Sequence, residues 1–218
     1  MTEESGSGSR PREQKLAESV SGIVLAGGRS SRFGADKLAA RFGDATILER
    51  AVAAVAAVAS EVIVVVAPGD ERPLPAASVP VRRAIDPEPF GGPLVGLLAG
   101  LEAAGEPIAI VAGGDMPTLG ADVLRLLIRT LIAADGSRGA AVLMQRGTMQ
   151  PLPCAVRNGA ATQAAGRLIG EDERSLVALI QSVGGLTVAE AAWRPLDPTA
   201  ATLLDVDTPD DLPGSSRT

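Results

Sequence analysis

Apolar positions along this chain fall into two patterns. Uninterrupted runs occupy Gly22–Ala26 (GIVLA), Val62–Ala67 (VIVVVA) and Pro107–Ala112 (PIAIVA). Runs of this length without polar alternation predict strands buried on both faces. Between them the apolar residues recur at helical spacing. Ala121–Ala134 places them at 123, 124, 127, 128, 131 and 132, one stripe of an amphipathic helix. Thr46–Ala59 predicts another helix, with Thr46 and Glu49 spaced as a capping box. Gly92–Ala104 reads as a helix despite its glycines, and Ser175–Val183 as a further one. Val79–Ile85 predicts a shorter, half-exposed strand. Ala140–Gln145 and Leu152–Arg157 predict two more, and Ala191–Trp193 and Leu203–Val206 read as weak strands.

Buried strands separated by helices imply an α/β domain, with a mainly parallel sheet covered on both faces in a Rossmann-like three-layer sandwich. In such sheets ligands bind beyond the carboxyl ends of the strands. A glycine-rich loop after residue 26, Asp86, Asp115 and Asp207 all fall just past or near a predicted strand end. The fold would gather them into one cleft. Residues 1–20, rich in Ser, Gly, Glu and Arg, read as a disordered tail, and residues 213–218 as a flexible one. Residues 21–212 read as a single domain without internal repeats.

Composition narrows the chemistry. The 218 residues include 46% apolar but only 2% aromatic residues, so Ala, Val, Leu and Ile must build the core. A formal charge of −6 argues against a general nucleic-acid binder. The chain has no histidine and no tyrosine, and one cysteine. Ser-His-Asp and Cys-His catalysis, His-ligated zinc and an intrachain disulfide are therefore excluded. Carboxylates, Lys, Arg, backbone N–H groups and an oxygen-bound metal remain. The first residues lack the basic-then-apolar order of a signal peptide, and the longest apolar runs fall far short of the roughly 20 residues of a membrane span. A cytoplasmic location with no membrane contact is expected.

The stretch Leu25–Lys37, LAGGRSSRFGADK, follows the first predicted strand. It lacks the spacing of both the dinucleotide fingerprint and the P-loop. The physical logic is shared with them. Gly27, Gly28 and Gly34 let backbone N–H groups approach an anion closely, and Arg29, Arg32 and Lys37 add cationic donors. A strand-to-helix turn with solvated charges is the simpler alternative.

This stretch resembles the signature L-A-G-G-x-x-x-R-M-G-x-D-K of the molybdenum cofactor guanylyltransferases, with Phe33 at the usual Met. Further matches follow in order: Gly91–Leu97 (GGPLVGL), Gly114–Leu119 (GDMPTL), Gln150–Pro153 (QPLP) and Asp205–Leu212 (DVDTPDDL). Together they span residues 22–212. The resemblance implies a nucleotidyltransferase fold of the GT-A-like type that moves GMP from GTP to the phosphate of molybdopterin and releases pyrophosphate. It implies Mg²⁺ on Asp115, with Lys37 and Arg32 steadying the triphosphate. Leu25, Ala26, Gly27 and Gly28 would contact the nucleotide, together with Lys37, Asp86 and Asp115, and Asp207 would serve as a second ligand or an acceptor contact. A molybdopterin-supplying or -accepting enzyme is the expected partner.

Each of these residues has a plainer alternative. Asp86 before Pro87 suits a turn, and Asp115 an Asx turn or helix cap. Asp207 precedes Thr208-Pro209, a good helix start with Thr208 as N-cap. Arg174 stands in the acidic run EDERSL as either a pterin-phosphate contact or a surface charge, Gln150 is a cleft candidate, and Cys154 reads as core. Val64–Ala67 departs from the family, which often carries Asn there, and Asp205 stands where Asn is common. Chemically, the lack of His and Tyr favours a phosphate-monoester attacker, which is already mostly ionised near neutral pH. Three other activities fit parts of this pattern: cytidylyl transfer to the same cofactor, sugar-1-phosphate nucleotidyl transfer, and a nucleotide-binding adaptor without catalysis. By resemblance, Ala26-Gly27-Gly28 and Pro93-Leu94 favour guanine, since the cytidylyl relatives usually read L-A-A-G and lack G-P-L-x-G-L.

Overall fold

The apolar runs lie side by side as strands of one sheet. The computed structural model describes residues 20–27, 36–88 and 91–212. Strands β1 (Val20–Leu25), β4 (Glu61–Val66), β5 (Val81–Ile85) and β6 (Ile108–Gly113) are mutually parallel, in the spatial order β5-β4-β1-β6. Beyond β6 the order continues with β8 (Thr148–Arg157), β7 (Ala140–Gln145) and β9 (Leu186–Val188). Only β8 runs against the other six, because it returns from β7 through a tight turn with positive φ at Arg146 and Gly147. Two short strands, β2 (Arg41–Phe42) and β3 (Ala45–Thr46), form a separate hairpin.

Helices cover both faces of this sheet. On one face α1 (Ile47–Ala56) and α3 (Ala121–Ala133) pack on Val24, Val62, Val64 and Ile110. On the other, α2 (Pro93–Ala103), α4 (Asn158–Gly170) and α5 (Leu176–Ser182) pack on Ile23, Ile63, Val65 and Val111. Successive strand residues point to opposite faces, so each continuous apolar run feeds two cores at once. That is the three-layer arrangement expected from the pattern. The capping box at α1 is present: Glu49 N donates to Thr46 Oγ1 at 3.2 Å and Thr46 N to Glu49 Oε2 at 2.6 Å. Helix α2 tolerates its glycines because they let it approach the sheet. A Cβ at Gly100 would stand 2.7 Å from Ile23 Cγ2 and 3.0 Å from Val65 Cγ2.

Several elements differ from the pattern-based reading. Helix α4 has only a weak stripe, built on Ala161, Ala164 and Ala165, and its small residues left no apolar period to read. Residues 191–193, expected as a strand, lie in the short helix α6 (Glu190–Trp193). There Trp193 is fully buried and its Nε1–H donates to Met144 O at 3.0 Å. Residues 203–206, also expected as a strand, form the end of a 3-10 turn (Ala201–Leu203) and an irregular segment. The 41–46 hairpin and β9 are too short to carry a period of their own. The predicted tails lie outside the described residues, except that Val20 opens β1. Among the described residues, no helix is long and apolar enough to cross a membrane.

The chain order also fixes where a ligand can sit. From β1 the chain passes through α1 to β4 and β5 on one side, then crosses back through α2 to β6 on the other. Helices α1 and α2 therefore leave on opposite faces, and a crevice opens at the carboxyl ends of β1 and β6, the switch point of an open α/β sheet.

Candidate active site

The ends of β1, β5 and β6 each deliver a predicted site residue to this crevice. Beyond Leu25, the chain is held against its neighbours by Ala26 N donating to Val65 O (2.7 Å) and Gly114 N donating to Leu25 O (2.8 Å). Gly113 and Gly114 are required by this crowding. A Cβ on Gly114 would lie 3.1 Å from Leu25 O, and one on Gly113 would lie 2.5 Å from Asp115 Oδ1. The backbone thus turns sharply at the end of β6 and presents Asp115 to the crevice. A cavity of about 340 Å³ occupies it, lined by Leu25, Gly27, Val65, Asp86, Gly96 and Asp115, with Gly92 and Pro93 of the α2 N-terminus alongside. Ala26 is buried rather than among these lining residues.

Lys37 reaches the same place from a separate element. The 3-10 turn Lys37–Ala39 is capped by Asp36, whose Oδ1 accepts from Leu38 N at 3.1 Å. Leu38 is buried in the core beneath the turn, which leaves Lys37 facing the strand ends. Its Nζ lies 2.8 Å from Asp115 Oδ2 and 3.4 Å from Asp207 Oδ1. Burial alone would lower the pKa of this ammonium. The hydrogen bond to Asp115 and the charges of Asp115 and Asp207 outweigh that effect and hold it above its ordinary value, so it is cationic at neutral pH.

Asp207 arrives by a long detour that the structure ties down at each step. Asp197, itself buried, accepts from Thr202 N (2.7 Å) and Ala201 N (3.0 Å). Gly120 N donates to the fully buried Thr202 Oγ1 at 3.0 Å, and Thr118 Oγ1 donates to Ala201 O at 2.6 Å. Val206, fully buried, donates its N–H to Asp115 O at 2.9 Å. The segment that carries Asp205 and Asp207 is thereby bound to the turn that carries Asp115. Thr208 and Pro209 open a short 3-10 turn, and Asp211 Oδ2 accepts from the N–H groups of Thr208 (2.8 Å) and Asp207 (3.1 Å). The motif opens a short helical turn, as read from the sequence, and it also brings Asp207 beside Lys37. The carboxyl of Asp205 is raised to about 6 by burial around it and by the neighbouring charges of Asp115 and Asp207, with Lys37 opposing.

Asp86 forms the floor of the cavity. Its residue is buried, Glu88 N donates to its Oδ1 at 3.1 Å, and burial together with the charge of Glu88 raises its pKa despite that bond. A Cβ on Gly96 would stand 3.2 Å from Asp86 Oδ2, so the α2 glycine leaves the carboxylate its room. Arg174 stands by the α2 N-terminus rather than near Lys37. Its Nη1 donates to Ile169 O (2.9 Å), its Nη2 lies 3.7 Å from Glu88 Oε2, and its Cβ is 2.8 Å from where a Cβ of Gly92 would be. Gln150 turns back to Thr148 O, and Leu152 takes the cavity wall instead. Cys154 is core, its thiol pushed up to about 12 by burial. Gly28, Arg29, Arg32 and Gly34 lie outside the described residues. The contributions that sequence reasoning missed are Asp197 and Thr202: Asp197 holds the 201–202 turn through local bonds, and Thr202 ties that turn to Gly120, a contact across 82 residues that leaves no local mark.

Gly27 beyond β1, a lysine and a carboxylate in contact beyond the strand ends, and a cavity at the switch point together define a nucleotide-handling α/β protein of the nucleotidyltransferase kind. Residues 22–188 match the model of the MobA-like NTP transferase domain, and the chain belongs to that family. It is 35% identical over 196 residues to a Chloroflexus aggregans protein named "Probable molybdenum cofactor guanylyltransferase", covering 88% of this chain and 91% of that one. It is 28% identical to the "Molybdenum cofactor guanylyltransferase" of Desulfosudis oleivorans, covering 89% and 93%. Its fold is similar to the crystal structure of molybdopterin-guanine dinucleotide biosynthesis protein A from Archaeoglobus fulgidus, with a TM-score of 0.69 at 18% identity over 88% of this chain and 94% of that chain.

Proposed function

We propose that this chain transfers GMP from GTP to the terminal phosphate of molybdopterin, releasing pyrophosphate, in the cytoplasm. The observation that carries this reading is the contact of Lys37 Nζ with Asp115 Oδ2, 2.8 Å, at the edge of the strand-end cavity. A lysine from the signature loop and the carboxylate from the β6 end meet there although 78 residues separate them. The names of the curated relatives support guanine over cytosine, and neither the sugar-phosphate nor the adaptor alternative has a comparable observation in its favour.

The donor set fits Mg²⁺. Asp115 and Asp207 offer hard carboxylate oxygens, and the Lys37 ammonium already stands between them, so the local field gathers positive charge. Among the described residues, no three His, Cys, Asp or Glu side chains make a self-contained cage. Mg²⁺ is typically held by one or two carboxylates and completed by substrate phosphate oxygens. Asp115 would hold the ion, which when bound neutralises phosphate charge and polarises the α-phosphate.

The chain's own groups account for the rest. Lys37 places a fixed positive charge beside the polyphosphate, and the N–H groups of the loop after β1, with Arg32, would bind its oxygens. The cavity between Gly27, Gly96 and Asp86 receives the nucleoside. Asp207, 3.4 Å from Lys37 Nζ, would serve the acceptor or a metal ion. No protein base is needed, because a phosphate monoester with a second pKa near 6 is largely ionised at neutral pH. The attacking oxygen displaces pyrophosphate in line, and the protein's contribution is alignment and charge compensation. Turnover of GTP and CTP measured side by side, with molybdopterin as acceptor, tests the reading. GTP preference with pyrophosphate release is expected. Preference for CTP, or GTP binding without pyrophosphate release, would overturn it.

A further inference from the structure

Resting on that reading, we propose that Arg72 is a positioning residue for Lys37, acting through Asp36. Arg72 lies in the β4–β5 connection, 35 residues beyond the lysine. Its Nε–H donates to both oxygens of Asp70, at 2.7 and 3.0 Å, and its Nη1 reaches Asp36 Oδ1 at 3.3 Å. Its carbonyl accepts from Arg83 Nη2 of β5, which ties the connection to the sheet edge. Asp36 Oδ1 is the same atom that caps the 3-10 turn by accepting from Leu38 N. One guanidinium therefore links a carboxylate anchored on the β4–β5 connection to the cap of the turn that carries Lys37.

A cavity of about 290 Å³ separates the connection from the turn, lined by Asp36, Leu38, Leu48, Arg72 and Leu74 among others. Leu38 anchors the turn in the core and Ala40 O accepts from Ile47 N at 3.0 Å, but the groove opens on the side facing the connection, and there a planar guanidinium with several fixed donors supplies the lateral tie. The Asp36–Arg72 pair is half-exposed, with side-chain accessibilities of 43% and 24%. A pair of this kind adds little to global stability. Its effect is on where Lys37 Nζ stands relative to Asp115 and to an incoming triphosphate. Small displacements of a charge-bearing group are costly in rate: a shift of about 1 Å can lower turnover by as much as about 100-fold.

The test is a kinetic cycle on the full chain with GTP and molybdopterin. Wild-type turnover, and its loss in Lys37→Ala, establish the parent reading first; failure there is failure of that reading and not of this one. In an active enzyme, Arg72→Ala is expected to lower kcat about tenfold while the KM for GTP changes less than threefold and the melting temperature holds. Asp36→Asn should lower kcat similarly, and the double variant should be no slower than the slower single variant. Arg72→Lys should recover only part of the rate, because one ammonium cannot span both carboxylates. A kcat for Arg72→Ala within twofold of wild type, or effects of the two substitutions that multiply, would overturn the assignment. So would unfolding of both Arg72→Ala and Arg72→Lys, which would make the residue structural.

Discussion

Replacing Asp115 with Asn removes one negative charge and keeps the side-chain shape. Asp115 Oδ2 lies 2.8 Å from Lys37 Nζ, and its side chain is 30% accessible. Two unit charges about 4 Å apart interact by about 4 kcal/mol at an effective dielectric of about 20. A divalent ion doubles that figure, and solvent at a site this open removes about half, which leaves about 4 kcal/mol of charge compensation in the loaded enzyme. At 1.36 kcal/mol per decade, kcat/KM for GTP should fall by about 10²–10³-fold. Raising Mg²⁺ should recover part of the loss, because a weakened site fills at higher concentration. Stability should change by less than about 1 kcal/mol, since the lost ion pair is partly exposed and its removal relieves the repulsion that raises Asp205. Pyrophosphate release across a Mg²⁺ series, with thermal melts in parallel, provides the assay. Activity within twofold of wild type and an unchanged Mg²⁺ dependence would refute the role given to Asp115.

Three further outcomes follow from the contacts. Asp197→Asn should destabilise the protein by about 1.5–3 kcal/mol at pH 7, because it weakens charge-assisted bonds from Thr202 N and Ala201 N. Burial would raise the Asp197 pKa, but the bonds from Thr202, Ala201 and Thr199 hold it below its ordinary value. Its contribution is therefore full above about pH 4 and is lost as pH falls through the folded-state value, so urea melts of wild type and variant should converge in acid. Gly100→Ala should cost about 1–3 kcal/mol by pushing α2 off Ile23 and Val65; an unchanged urea midpoint would contradict that packing. Leu124→Ala, at a fully buried α3 position, should cost about 2–5 kcal/mol by the same measurement.

Much of this protein was legible in its sequence because the relevant signals are local. A short continuous run rich in β-branched residues such as VIVVVA reads as a strand covered on both faces, and a long stripe such as that of α3 as a helix lying on a core. Gly113-Gly114 before Asp115 marks a strand end where backbone must pass close to backbone. From the strand runs and glycine turns come the three layers and the candidate residues Lys37, Asp86 and Asp115, whereas Asp207 was placed beside a strand that does not form and owes its candidacy to the family resemblance. Helix α4 was missed because alanine and glycine carry almost no apolar contrast. Residues 191–193 and 203–206 were misread as strands because three or four apolar residues have no measurable period, and tertiary anchoring of Trp193 and Thr202 decided their shape.

Which of the candidates meet was decided only by the tertiary structure. Lys37, Asp115 and Asp207 are brought together by the switch in strand order and by separate anchors along the chain: Trp193 to Met144, Asp197 to Thr202, Thr202 to Gly120 and Val206 to Asp115. The same structure puts Arg174 beside α2, and Arg72, which no motif singles out, against Asp36. Periodicity reports which face of an element meets the core, because burial acts on neighbouring residues. Distances between charges on separate elements depend on how the layers stack, and no short stretch of sequence encodes that.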